Sequence, residues 1–76
     1  MNSIDMKRGQ KATVRFISKG RGIDWKMFEI GILQGSEIQL LEKHPFRGPL
    51  LFQVGPNRIV LGRDVATGLE VDLLND

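Results

Sequence analysis

Glycine and proline cut this 76-residue chain into short segments, most of which read as strands. One stretch departs from that pattern. From Trp25 to Ile38, helical spacing, a glycine stop, a second glycine turn and a new strand follow without a gap. Asp24 suits the N-cap, because its carboxylate can accept from the orphan N–H groups and faces the positive helix end. Ile23 and Phe28 stand at the positions of a hydrophobic staple. Gly31 suits the left-handed residue after the helix, with Ile32 folding back onto Met27 as in a Schellman ending. A helix of five or six residues cannot persist alone in water, so it must dock. The expectation is a plug or lid on a small β structure, with Met27, Phe28 and Ile30 inward.

The flanking segments supply the strands. Ala12 to Ile17 alternates, placing Ala12, Val14 and Phe16 on one face. Ser18 to Gly22 is a glycine loop without the spacing of a dinucleotide-binding turn. Gln34-Gly35-Ser36 forms a turn with Gly35 at positive φ, and Glu37 to Glu42 follows as a strand with Ile38 and Leu40 inward. Lys43 to Pro49 is a proline-bounded loop, stiffened because Pro45 and Pro49 push the preceding residues toward extended backbone. Phe46 at its centre is either an anchor packed on the barrel, the favoured reading, or an exposed contact. Leu50 to Val54 and Arg58 to Leu61 form a hairpin around Gly55-Pro56-Asn57. Arg63 to Thr67 makes one helical turn ended by Gly68, and Leu69 to Leu74 closes the chain with Val71 and Leu73 inward. Five strands, one short helix and one helical turn point to a small all-β barrel, whose closure removes exposed edges.

A chain this short is one domain spanning residues 1–76, and it buries roughly 60% of its extended surface, so nearly every large apolar residue is needed inside. No apolar run approaches the ~18 residues of a membrane span. The first residues lack the apolar core of a secretory signal, and without cysteine there is no disulfide framework or thiolate chemistry. A cytoplasmic setting is the expectation.

The formal net charge of +2 is uneven. Residues 1–38 carry seven basic and four acidic side chains (7 − 4 = +3), and residues 39–76 carry four and five (4 − 5 = −1). Between positions 7 and 26, Lys7, Arg8, Lys11, Arg15, Lys19, Arg21 and Lys26 face only Asp24. Such a face attracts acidic partners or phosphate, or simply keeps a small protein soluble.

Catalytic and metal constellations are missing from the sequence. His44 is the sole histidine, with no neighbouring nucleophile for a triad and only Glu42 close by as a second metal ligand. Asp64, Glu70 and Asp72 read as outward residues. A proline-recognising groove needs several aromatics, yet the chain has one tryptophan and no tyrosine. A single-strand nucleic-acid platform needs exposed stacking rings, and with Phe16 and Phe52 assigned inside only Trp25 and Phe46 remain. Trp25 either packs over the barrel mouth or stands beside Lys26 and Arg21 as a partner's anchor.

The order of these motifs resembles the FeoA family of small cytoplasmic proteins associated with bacterial ferrous iron uptake. Met27 to Ile38 looks like that family's helix, its glycine step and its turn before a strand. Pro45-Phe46-Arg47-Gly48-Pro49-Leu50 is similar to its loop with two prolines four apart. Asp5 to Gly9 and Leu61 to Ala66 match more weakly, and Gln34 and Arg8 stand where proline is usual. The resemblance implies an SH3-like β-barrel, all-β with about five strands, acting without enzymatic activity beside the membrane transporter FeoB, at its cytoplasmic GTPase portion. It carries over no catalytic residue and no cofactor. It extends to the C-terminal module of iron-dependent repressors, whose helix-turn-helix this chain lacks.

Charge and position nominate Lys19, Arg21, Trp25, Lys26 and Arg47 as partner contacts, with no metal ligands and with weak self-association left open. A rival of another class is a nucleic-acid-binding barrel using Lys7, Arg8, Lys11 and Arg15, which would lose affinity steeply with salt. A metal-sensing module is the third.

Overall fold

A computed structural model describes residues 1–18 and 23–74, apart from the side chains of Ile23 and Asp24. A 3₁₀ turn at Ser3–Asp5 leads to β1 (Lys11–Ile17), α1 (Ile23–Glu29), β2 (Glu37–Lys43), β3 (Leu50–Val54), β4 (Asn57–Leu61), the helical turn α2 (Arg63–Ala66) and β5 (Leu69–Leu73). The strands form one antiparallel sheet in the order β4-β3-β2-β1-β5. Alternation explains the sheet's inner face. Ala12, Val14, Ile38, Leu40, Leu50, Phe52, Val54, Leu61, Leu69 and Val71 are buried in one cluster with Met6, Met27, Ile32 and Ala66.

Phe16 breaks the expected alternation: it is 55% exposed. Val14 pairs with Val71, but two residues later Phe16 pairs with Glu70, only one residue back along β5. The extra residue is a bulge, and a one-residue slip exchanges the two faces. Inward orientation passes from Phe16 to Ile17, which lies opposite buried Leu69 and packs against the core. A second register shift between Leu40 and Glu42 bends β2 against β3.

The helix ends as the sequence predicts. Gly31 has φ 87°, its N–H donates to Phe28 O at 3.1 Å, and the Ile32 N–H donates to Met27 O at 2.8 Å. These are the two bonds of a Schellman motif, and Met27 and Ile32 meet in the core. The start differs: the helix begins at Ile23, so Asp24 lies inside its first turn rather than at the cap. Phe28 also departs from expectation at 60% exposure, leaving Met27 as the buried plug with Ile30 half-buried beside it. Seven residues offer one narrow inward stripe, and Phe28, next to Met27, falls outside it.

Gly35, with φ 94°, completes the next turn. Its N–H donates to Val14 O at 2.7 Å and the Val14 N–H donates to Ser36 O at 2.8 Å, so this turn is hydrogen-bonded to β1 before β2 begins. In the β3–β4 hairpin, Gly55 with φ 57° is followed by Pro56, and Val54 pairs directly with Asn57. A positive φ followed by proline is the pattern of a type II′ turn, which places Asn57 in the strand rather than in the loop.

The first residues close the far side. Asn2 bridges to Glu70, and the Val71 N–H donates to Met1 O at 2.7 Å. The Asn2 side chain donates to Thr67 O and to Glu70, while accepting from the Ile4 N–H. The buried Ser3 hydroxyl donates to Ala66 O.

Candidate functional site

Among the sequence-nominated contacts, Trp25 and Lys26 stand together on the solvent side of α1. Trp25 is 63% exposed and stacks on Phe28, three residues on, with ring centroids 5.8 Å apart and planes 24° from parallel. Spacing of three brings side chains together on one helix face. The two rings border a shallow groove of about 340 Å³ completed by Ile17, Ile32, Leu33 and Gln34. Trp25 therefore does not plug the barrel mouth. Sequence reasoning missed Phe28 as part of this surface, because it was assigned to the core as a staple partner. Lys19 and Arg21 lie outside the described residues.

Arg47 belongs to a different place. It sits in the loop between β2 and β3, whereas α1 precedes the other end of β2. The seven residues of β2 lie between the two regions in sequence. Of the nominated residues that are described, Trp25 borders one groove and Arg47 another cleft, with no lining residue in common.

The Arg47 loop is a tight turn. The Gly48 N–H donates to Pro45 O and the His44 N–H donates to Pro49 O, both at 3.1 Å. Phe46 and Arg47 have φ of 59° and 61°. Positive φ at both central residues is the type I′ pattern, which favours asparagine and glycine. For side chains with a Cβ it costs about 1–2 kcal/mol per residue. Close approach favours glycine at position 48, since a Cβ there would lie 3.0 Å from His44 Cβ and 3.1 Å from Pro45 O. Phe46 is 98% exposed, so it does not anchor the loop on the barrel. The turn's own bonds, not the aromatic ring, fix its shape. Arg47 faces a cleft of about 680 Å³ shared with Ile4, Arg63, Asp64 and Thr67.

The basic residues of the nucleic-acid alternative are partly engaged. Arg8 meets Glu42 at 3.3 Å and Arg15 meets Asp72 at 3.9 Å, both on exposed side chains. His44 is exposed, and among the described residues no three histidine or carboxylate side chains cluster as a metal site would require. Among the described residues, no helix is long and apolar enough to cross a membrane.

The strand order and the short helix between the first two strands define the class: a small SH3-like β-barrel. A family model described as the FeoA domain matches residues 4–73. The chain belongs to the FeoA family, and that family's role is accessory to ferrous iron transport. It is similar to a crystallised iron uptake regulatory protein (FeoA), with 32% identity, 97% of each chain covered and a TM-score of 0.89. It is also similar to Stenotrophomonas maltophilia FeoA complexed with zinc, at 28% identity over 95% of this chain and 89% of that one, with a TM-score of 0.81. A manganese-dependent transcriptional repressor shares the fold at 23% identity and a TM-score of 0.90 over 97% of this chain, but only 41% of its own. No curated protein matches the chain by sequence.

Proposed function

We propose that this protein is a non-enzymatic accessory factor of bacterial ferrous iron uptake that acts in the cytoplasm by binding the cytoplasmic portion of a FeoB-type transporter. The observation that carries the reading is the exposed Trp25–Phe28 pair on a helix of a FeoA-family barrel. Rings that could fill a core stand instead in solvent beside an apolar groove. Exposed aromatics next to a cation are the residues that dominate protein interfaces when buried by a partner. Trp25 and Lys26 form this first surface, and Arg47 contributes from a separate cleft; Lys19 and Arg21 remain nominated by charge and sequence position alone.

Titration of the purified FeoB cytoplasmic region from the same organism, followed by Trp25 fluorescence or calorimetry in each nucleotide state, tests the reading. Saturable binding that weakens on Trp25→Ala supports it, and no binding in any state would overturn it. The nucleic-acid reading gains from Phe16, whose ring is exposed next to Arg15, but Glu42 and Asp72 offset part of its charge. A gel shift at low salt without retardation removes it.

A further inference from the structure

The cleft beside Arg47 has an unbalanced set of charges. Two guanidinium groups, Arg47 and Arg63, line it together with one carboxylate, Asp64. Neither arginine lies within 4.0 Å of a carboxylate among the described residues, whose three ion pairs are elsewhere. Arg63 is half-buried, and its Nε is buried without a hydrogen-bond acceptor. A buried donor ordinarily finds one, so this guanidinium has part of its bonding capacity unused. On the other wall, Arg47 is kept at positive φ by a turn whose second side chain, Phe46, stands fully in solvent. Left-handed backbone at two bulky residues in succession marks a place where the side chains themselves are needed.

We propose that this cleft accepts a carboxylate side chain from an acidic segment of a partner protein, held by Arg47 and Arg63, while Phe46 enters an apolar notch of the same segment. The proposal rests on the reading of the protein as a binding partner and adds the place and the chemistry of contact. Paired arginines match a carboxylate through forked donors. Asp64 in the same cleft disfavours a dianion such as phosphate and tolerates a singly charged side chain. Ile4 supplies an apolar wall suited to peptide methylenes, and the opening is wider than an isolated oxyanion requires. An adjacent ring with 98% exposure calls for an apolar cover that a free ion cannot give.

The test uses the full chain labelled with ¹⁵N, with the arginine Nε–H signals read by NMR. The probes are a synthetic peptide alternating glutamate and leucine, its glutamine counterpart, inorganic phosphate, and the FeoB cytoplasmic region. The expected result is that the glutamate peptide shifts the Arg47 and Arg63 signals, while the glutamine peptide and phosphate do not. R47E weakens peptide binding about tenfold, and R47E combined with R63E weakens it further. R47K loses less than R47E, because it keeps charge but not the fork. No shift at either arginine, phosphate binding as tight as the peptide's, or unchanged affinity in R47E would each overturn the proposal. R47E alone suffices should R63E disturb α2, since Arg47 is exposed. Peptide binding without FeoB binding leaves the cleft assignment standing and removes the FeoB reading. FeoB binding unaffected by R47E does the reverse.

Discussion

Among the connections of this barrel that use left-handed backbone, two meet the demand with different residues. After α1, glycine supplies it at positions 31 and 35, whereas between β2 and β3 phenylalanine and arginine supply it at 46 and 47. A Cβ at Gly31 or Gly35 would meet nothing within 4 Å, so glycine is there for its torsional freedom alone. The first turn fixes architecture: its bonds end the helix over Met27 and join β1 to β2. The second turn gives up about 1–2 kcal/mol per residue to keep an aromatic ring and a guanidinium in solvent. A position that carries a torsional cost without gaining core packing is where partner recognition is expected.

The comparison breaks most sharply at the buried end of the helix. Met27→Ala should destabilise the fold by about 2–5 kcal/mol in urea unfolding, while Phe46→Ala in the other turn leaves the midpoint within about 0.5 kcal/mol. Gly31→Ala should cost about 1–2 kcal/mol from torsion alone, a test that sharpens the claim because no steric clash confounds it. Conversely, replacing Phe46 with asparagine and Arg47 with glycine should stabilise the protein by about 1 kcal/mol, raising Tm by several degrees. The same variant should bind the FeoB cytoplasmic region less well, separating stability from recognition. The smallest effect belongs to Trp25→Ala, expected to alter stability by about 0.5 kcal/mol in thermal unfolding while lowering partner affinity. Equal losses of stability from Trp25→Ala and Met27→Ala would erase the distinction between an outer and an inner face of α1.

Much of the fold was legible because it depends on local rules. Glycine spacing marked the end of α1 and the following turn, and period-two alternation identified Ile38, Leu40, Phe52 and Val71 as core. What escaped depends on pairing between distant segments. Nothing near Phe16 signals that β5 will advance one residue fewer than β1 and turn the ring outward. Phe46 was placed inside because large apolar residues of small domains usually are; its exposure follows from a turn closed by its own backbone bonds, which leaves the ring no route to the core. The N-terminal cap through Asn2 and Ser3 was also missed, since its partners lie more than sixty residues away. Of the candidate site, Arg47 was visible from charge and position, whereas Trp25 stayed open between packing over the barrel mouth and anchoring a partner. The separate linings of their two depressions, the sharing of one cleft by Arg47 and Arg63, and the placement of Phe28 needed the three-dimensional arrangement.

The bridge between Asn2 and Glu70 bears on how the chain is made as well as how it is held. During synthesis, β1 through β4 can pair in order of emergence, each strand meeting a neighbour close in sequence. The outer edge of β1 has to wait for β5, its partner in Ala12↔Leu73, and the first residues wait for the same strand. Contacts of such long sequence separation form slowly. Until β5 is in place, β1 presents an unpaired edge next to the exposed ring of Phe16, an arrangement prone to edge-to-edge association.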